Sequence, residues 1–167
     1  MQRLWIAALG VMALTLTCQD ERRGRVTAPA VAQRSDTVFF LSVSDPRPAA
    51  GSTVTVTANV ARRSAFKPVA GFKAHLRYDP TGLTFLREST LPNGVRAFNP
   101  QRGHLIAAGA AAAGFEDGRL FAATFRVQNP GALHSLALDV EELNGTDFAD
   151  QLPAVRRGAL RVTAPNR

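Results

Sequence analysis

The chain has 167 residues, 46% of them hydrophobic and 20% charged, a balance that suits one ordinary globular domain and excludes both a disordered tail protein and a polytopic membrane protein. Trp and Tyr occur once each and His three times, so the side chains that most often perform acid–base chemistry or stack on sugars are scarce, and the composition points away from an enzyme. The net charge of +7 falls to +4 within residues 37–164, which hold 14 basic and 10 acidic side chains.

Met1-Gln2-Arg3 and the apolar run from Leu4 to Thr17 make the short basic region and apolar core of a secretory signal. The run is shorter than the ~20 apolar residues of a spanning helix. It ends at Cys18, the only cysteine, after Leu14-Thr15-Leu16-Thr17. This stretch resembles the lipobox of bacterial lipoproteins, although Thr17 stands where Gly, Ala or Ser is usual. The resemblance implies lipidation of Cys18 and an exported, membrane-anchored lipoprotein of the bacterial cell envelope, periplasmic or surface-exposed. A cut after Ala30-Val31-Ala32 is the alternative, but it lies about fifteen residues past the apolar run, far for a signal peptidase. With no second cysteine, no intramolecular disulfide forms, and packing alone must hold the fold. Residues 18–36 follow as anchor cysteine and linker, and the polar, aperiodic stretch 19–36 reads as a disordered tether. Arg22-Arg23-Gly24-Arg25 within it suits a solvated linker or contact with anionic headgroups.

From residue 37 onward the period is two. In Thr53–Val60 apolar residues occupy every second position, and Phe72, Ala74, Leu76 and Tyr78 alternate with Lys73, His75 and Arg77, the pattern of half-buried strands. Nine short strands are expected: Val38–Ser44, Thr53–Val60, Phe72–Tyr78, Leu83–Arg87, Val95–Asn99, His104–Ala108, Leu120–Val127, Leu133–Glu141 and Val155–Thr163. Turn signals separate them, among them Asp79-Pro80-Thr81-Gly82, Asn93-Gly94, Asp117-Gly118, Asn129-Pro130-Gly131 and Asn144-Gly145, at the spacing of a sandwich or jelly roll. The run Ala107–Gly114 reads as a strand end followed by a loop, because its glycines oppose the helical preference of alanine. Tyr78 is expected inward, Asp79 bonded to its own downstream backbone, and Pro80 fixing the reversal, so the triplet makes a structural corner. The expected fold class is all-β, nine short strands in a β-sandwich or jelly roll over residues 37–164.

The order Gly51-Ser52-Thr53-Val54-Thr55-Val56, Gly71-Phe72 through Tyr78-Asp79-Pro80 and Leu83, Asp117-Gly118-Arg119-Leu120-Phe121-Ala122-Ala123-Thr124-Phe125-Arg126-Val127, and Gly158-Ala159-Leu160-Arg161-Val162 resembles the cohesin domain. Cohesins are nine-stranded jelly-roll modules that bind dockerins in cellulosome-type assemblies. The resemblance spans nearly all of the folded part. It implies a non-catalytic module with a dockerin-like protein partner on another chain. It also implies that the docking face is the sheet containing Gly71–Tyr78, Val95–Asn99, His104–Ala108 and Leu133–Glu141. Lys73, His75, Arg77, Arg96 and Asn99 are then the candidate contact residues, and the cations on one strand suit a partner of acidic character. A carbohydrate-binding module is the alternative, since cohesins belong to polysaccharide-degrading systems; a purely structural envelope lipoprotein is the third reading.

Other chemistry is weakly signalled. His75, His104 and His134 fall on three different expected strands without metal-ligand spacing, and Lys73 and Arg77 flank His75, so ordinary surface histidines and no metal are expected. Asp139, Glu141, Glu142, Asp147 and Asp150 form the densest acidic stretch but lack the spacing of a calcium loop. No phosphate loop, Gly-x-Ser-x-Gly elbow or cofactor motif occurs. The arginines of the folded part are spread out, with Arg62-Arg63 and Arg156-Arg157 the only doublets, and no aromatics interleave with them as nucleic-acid platforms require.

Overall fold

A computed structural model describes residues 37–61 and 67–156. The signal, Cys18, the tether, the Arg62-Arg63 doublet and the expected strand beyond Arg156 lie outside the described residues. Among the described residues nine strands run in chain order: β1 Thr37–Val43, β2 Thr53–Ala61, β3 Val69–Arg77, β4 Leu83–Ser89, β5 Val95–Gln101, β6 His104–Ala110, β7 Arg119–Val127, β8 Ala137–Gly145 and β9 Val155–Arg156. They form two sheets, β4-β7-β2-β1-β9 and β5-β6-β3-β8. All pairings are antiparallel except β1 with β9. No helix among the described residues is long and apolar enough to cross a membrane.

The alternation read in the sequence becomes the two inner faces. Val54, Val56 and Ala58 of β2 and Phe72, Ala74 and Leu76 of β3 are buried, while the residues between them are partly solvated up to Lys73 and His75. Strand β7 is buried along nearly its whole length, because it lies between β2 and β4 with side chains from the other sheet on its inner face. Its two phenylalanines tie the layers together. Phe121 sits 6.1 Å from Phe72 of β3 and 6.1 Å from Phe98 of β5, whereas Phe125 meets Tyr78 edge-on at 5.0 Å and Phe85 of β4 at 5.8 Å. Edge-on aromatic pairs of this kind add to the burial itself.

The corner after β3 runs through Tyr78-Asp79-Pro80. Tyr78 is buried, and its hydroxyl donates to the Gln101 carbonyl at 3.1 Å. Asp79 Oδ1 accepts from the Thr81 backbone N–H at 2.8 Å and from the Thr81 hydroxyl at 2.7 Å, while the Asp79 carbonyl accepts from Leu83 N–H at 2.9 Å. Two other turns show why the sequence carries Asn-Gly and Asp-Gly. Asn93 and Gly94 have φ of 59° and 76°, and Asp117 and Gly118 have φ of 51° and 69°. Asn and Asp tolerate the left-handed region better than other side-chain-bearing residues, and Gly enters it freely.

Two expectations shift. Leu133 does not begin a strand: Pro130–Ser135 is a 3-10 helix, with the Asn129 side chain accepting from Gly131 N–H and Leu133 buried, and β8 starts at Ala137. Proline fixes φ near helical values and lacks the N–H that a strand ladder needs, so the apolar spacing there serves a short helix. The expected ninth strand is described only over Val155–Arg156, where it pairs with Thr37 and Val38. The alanine run behaves as expected: β6 ends at Ala110 and a loop follows, held by Ala111 N–H on the Ala70 carbonyl and Phe115 N–H on the Val69 carbonyl.

Candidate functional site

The four-stranded sheet presents its inner side chains to the core and its outer ones to solvent. Register sets the outer face in rows: Asn99, Ile106, His75 and Asp139 lie across β5, β6, β3 and β8, and Ala97, Ala108 and Lys73 form the next row. Four polar side chains join there. The Lys73 ammonium donates to Glu141 Oε1 at 2.9 Å and lies equally near Oε2. His75 Nε2 is 2.8 Å from Glu141 Oε2, and His75 Nδ1 is 3.0 Å from His104 Nε2. An ionised carboxylate only accepts, so His75 carries a hydrogen on Nε2, and in the neutral ring its Nδ1 accepts from His104.

A β-bulge makes this possible. In the β3–β8 ladder Lys73 pairs with Glu142 and Ala74 with Val140, so Glu141 is the extra residue. Regular alternation would place Val140 and Leu143 on opposite faces. With one residue inserted, both are buried while Glu141 and Glu142 both face solvent. Bulges of this kind redirect side chains, and here the redirected side chain falls between Lys73 and His75. The His75 ring N–H and the Lys73 ammonium hold the Glu141 carboxyl below the usual carboxylate range. In return the hydrogen bond and charge of Glu141 raise the proton affinity of Lys73. Both groups are well exposed, so solvent screens the pair, and its main effect is to orient side chains.

Lys73, His75 and Asn99 therefore share the outer face, and Arg77, in register with His104, is exposed on the same strand. Arg96 does not share that face. It alternates with Asn99 on β5, and its side chain runs from the inner side of the sheet to the edge of β7. There Nε donates to the Leu120 carbonyl at 2.6 Å, Nη1 donates to the Asn93 carbonyl at 2.8 Å, and the guanidinium carbon lies 4.7 Å from the centre of the Phe115 ring. Burial and the charge of Arg119 lower its proton affinity. Positions 96 and 99 differ by three, an odd spacing that puts them on opposite faces of any regular strand. Arg96 clasps one sheet to the other.

The sequence reading passed over the joining of Glu141 and His104 to this face. The legible signal was Val140-Glu141-Glu142-Leu143, where two apolar residues three apart in a strand require a bulge. Two other acidic residues of that stretch are used locally: Asp147 Oδ1 accepts from Ala149 N–H at 3.2 Å, and Asp150 Oδ1 from Leu152 N–H at 2.9 Å. Between them in the chain Phe148 holds φ of 60° in the turn after β8 with 90% of its surface exposed.

Comparison with solved structures places the fold. A non-cellulosomal cohesin from the archaeon Archaeoglobus fulgidus superposes with a TM-score of 0.51 at 21% identity, over 67% of this chain and 81% of that one. The sixth cohesin of scaffoldin B from Acetivibrio cellulolyticus, solved in complex with a mutant Cel5 dockerin, gives 0.53 at 17% identity over 75% and 99%. The cohesin module of a family 33 glycoside hydrolase from Clostridium perfringens gives 0.52 at 10% identity over 68% and 88%. No protein-family model matches the sequence, and no curated protein matches it. At these identities the likeness is one of fold, and in fold this chain carries a cohesin-like jelly-roll β-sandwich domain.

Proposed function

We propose that the chain is a non-catalytic binding module that docks a dockerin-like protein on the outer face of β5-β6-β3-β8. The observation that supports this reading most directly is the outer face itself. Its Lys73, His75, His104 and Glu141 side chains are braced against one another on a sheet whose other face is core, so the residues are set before any partner arrives, and less entropy is lost on docking. Glu141 already neutralises Lys73 and orients His75, which leaves Arg77 as the cation that meets acidic groups of the partner, with Asn99 and Ile106 beside it. That Acetivibrio cohesin with the same fold was solved bound to a dockerin. The test is capture: a Lys73→Ala/His75→Ala/Arg77→Ala variant that retains its fold loses dockerin-bearing partners that the natural chain retains from the secreted proteins of its own organism. Equal capture by both overturns the face assignment.

The module is further read as held at the bacterial envelope by lipid on Cys18, within reach of its membrane. Carbohydrate binding is the second reading, favoured by one observation, the solvent-facing Phe148 ring on its hydrogen-bonded turn. A single aromatic face is the minimum for sugar stacking, and loss of polysaccharide retention in affinity gels on Phe148→Ala would raise this reading above the first.

A further inference from the structure

We infer that His75 Nδ1 and His104 Nε2 form an open two-histidine site for a borderline divalent cation, Zn2+ or Ni2+, on the outer face of the four-stranded sheet.

The two nitrogens converge. They lie 3.0 Å apart, and neighbouring ligands of a tetrahedral zinc, each about 2.0–2.1 Å from the metal, stand about 3.3–3.4 Å apart. The ring centroids are 5.1 Å apart and the planes differ by 17°, which with so short a nitrogen separation means that the rings meet nitrogen to nitrogen. Binding therefore needs a few tenths of an ångström of separation and a tilt of the partly exposed His104 ring, so that both lone pairs bend toward one point. The cation replaces the bridging hydrogen. His104 keeps its single hydrogen on Nδ1 instead of Nε2, and two neutral rings coordinate without net proton release.

A second feature is independent of that separation. Metal-binding histidines characteristically give their other ring N–H to a carboxylate, which fixes the tautomer and raises ligand basicity. His75 has this arrangement already: Nε2 is 2.8 Å from Glu141, and Lys73 holds Glu141 in place. The lone pair of His75 is thereby directed at His104. The positive charge expected to repel a cation is also reduced, since Glu141 pairs with Lys73 and Asp139 lies opposite His75 in register. Arg77 remains as the one flanking cation on β3.

Among the described residues no group of three or more His, Cys, Asp or Glu is placed to hold a metal. The remaining coordination positions thus belong to water or to a side chain of a docked partner. Imidazole donors select Zn2+, Ni2+ or Cu2+ over Mg2+ and Ca2+.

The site needs no partner, so its test stands apart from the docking reading. Zn2+ is titrated into the full chain at neutral pH while the imidazole resonances are followed by NMR. Saturable shifts of His75 and His104 together, with His134 unmoved and Mg2+ without effect, are expected. The His75→Ala/His104→Ala double variant, which keeps Cys18 and His134, loses the saturable binding, whereas His134→Ala keeps it. Glu141→Gln weakens it about ten-fold. Unmoved His75 and His104 resonances at millimolar Zn2+, or binding by the double variant equal to that of the natural chain, overturns the inference.

Discussion

Single residues decide both the stability of the core and its response to pH. Phe125 is fully buried between Tyr78 of the corner and Phe85 of β4, a position where two sheets and a turn all rely on one ring. Phe125→Ala is expected to destabilise by about 3–5 kcal/mol, read from urea unfolding; a loss below 1 kcal/mol, on the scale of an ordinary surface substitution, would contradict the packing described. Asp79 acts through charge. The Thr81 hydroxyl and backbone N–H hold its carboxyl below the ordinary carboxylate range. A carboxyl with a depressed folded-state pKa contributes stability above its unfolded value of about 3.9, and that contribution is lost as pH falls through the lower folded value. Glu141 is shifted in the same direction by His75 and Lys73. The natural chain should therefore lose stability as pH falls below about 4, and Asp79→Ala and Glu141→Gln should each flatten that fall. A slope unchanged in both variants would show that these carboxyls are not held as described.

At the scale of the element, turns and bulges set where strands begin and which way their side chains face. Gly118 stands immediately before β7 with φ of 69°, and a methyl group there would strike the Val60 carbonyl of β2. Gly118→Ala should cost at least about 1 kcal/mol, measurable as a lowered unfolding midpoint, while Asp117→Asn, which tolerates the left-handed region, should cost far less. The bulge in β8 makes a sharper prediction. Deleting Glu141 leaves Val140 and Leu143 two apart, the spacing of a regular strand with both inward. The deletion should thus fold with an unchanged β-sheet spectrum and release Lys73 and His75 from their shared carboxylate, seen as changed chemical shifts of the His75 ring at fixed pH. Unfolding of the deletion variant would mean that the bulge serves the core as well as the outer face.

For the whole molecule, the placement of the proposed docking face matters as much as its chemistry. On the lipoprotein reading, eighteen residues stand between Cys18 and β1 along the chain, and lipid on Cys18 would keep the module attached to its membrane. Cys18→Ser is expected to move the protein from the membrane fraction to a soluble or unprocessed form and to abolish labelled fatty-acid incorporation. A variant that stays on the membrane with signal correctly removed would break the link between Cys18 and location.

The layers of the sandwich follow from local sequence signals. Period-two alternation in Thr53–Val60 and Phe72–Tyr78 settles which side chains are buried in a sheet of any topology, and Tyr78-Asp79-Pro80, Asn93-Gly94 and Asp117-Gly118 specify turns through local sterics and hydrogen bonds. Those signals are short-range, so one chain suffices to read them. Tertiary structure alone decided which strands became neighbours and in what register. Only once β3 lies between β6 and β8 do Lys73, His75, His104 and Glu141, drawn from three strands, meet in one network. Register likewise put Arg96 on the inner side of β5, and Pro130–Ser135 became a 3-10 helix because its proline and capping asparagine outweighed an apolar spacing that also suits a strand. Side chains separated by tens of residues along the chain interact only through backbone pairing, and the pairing is a property of the whole fold.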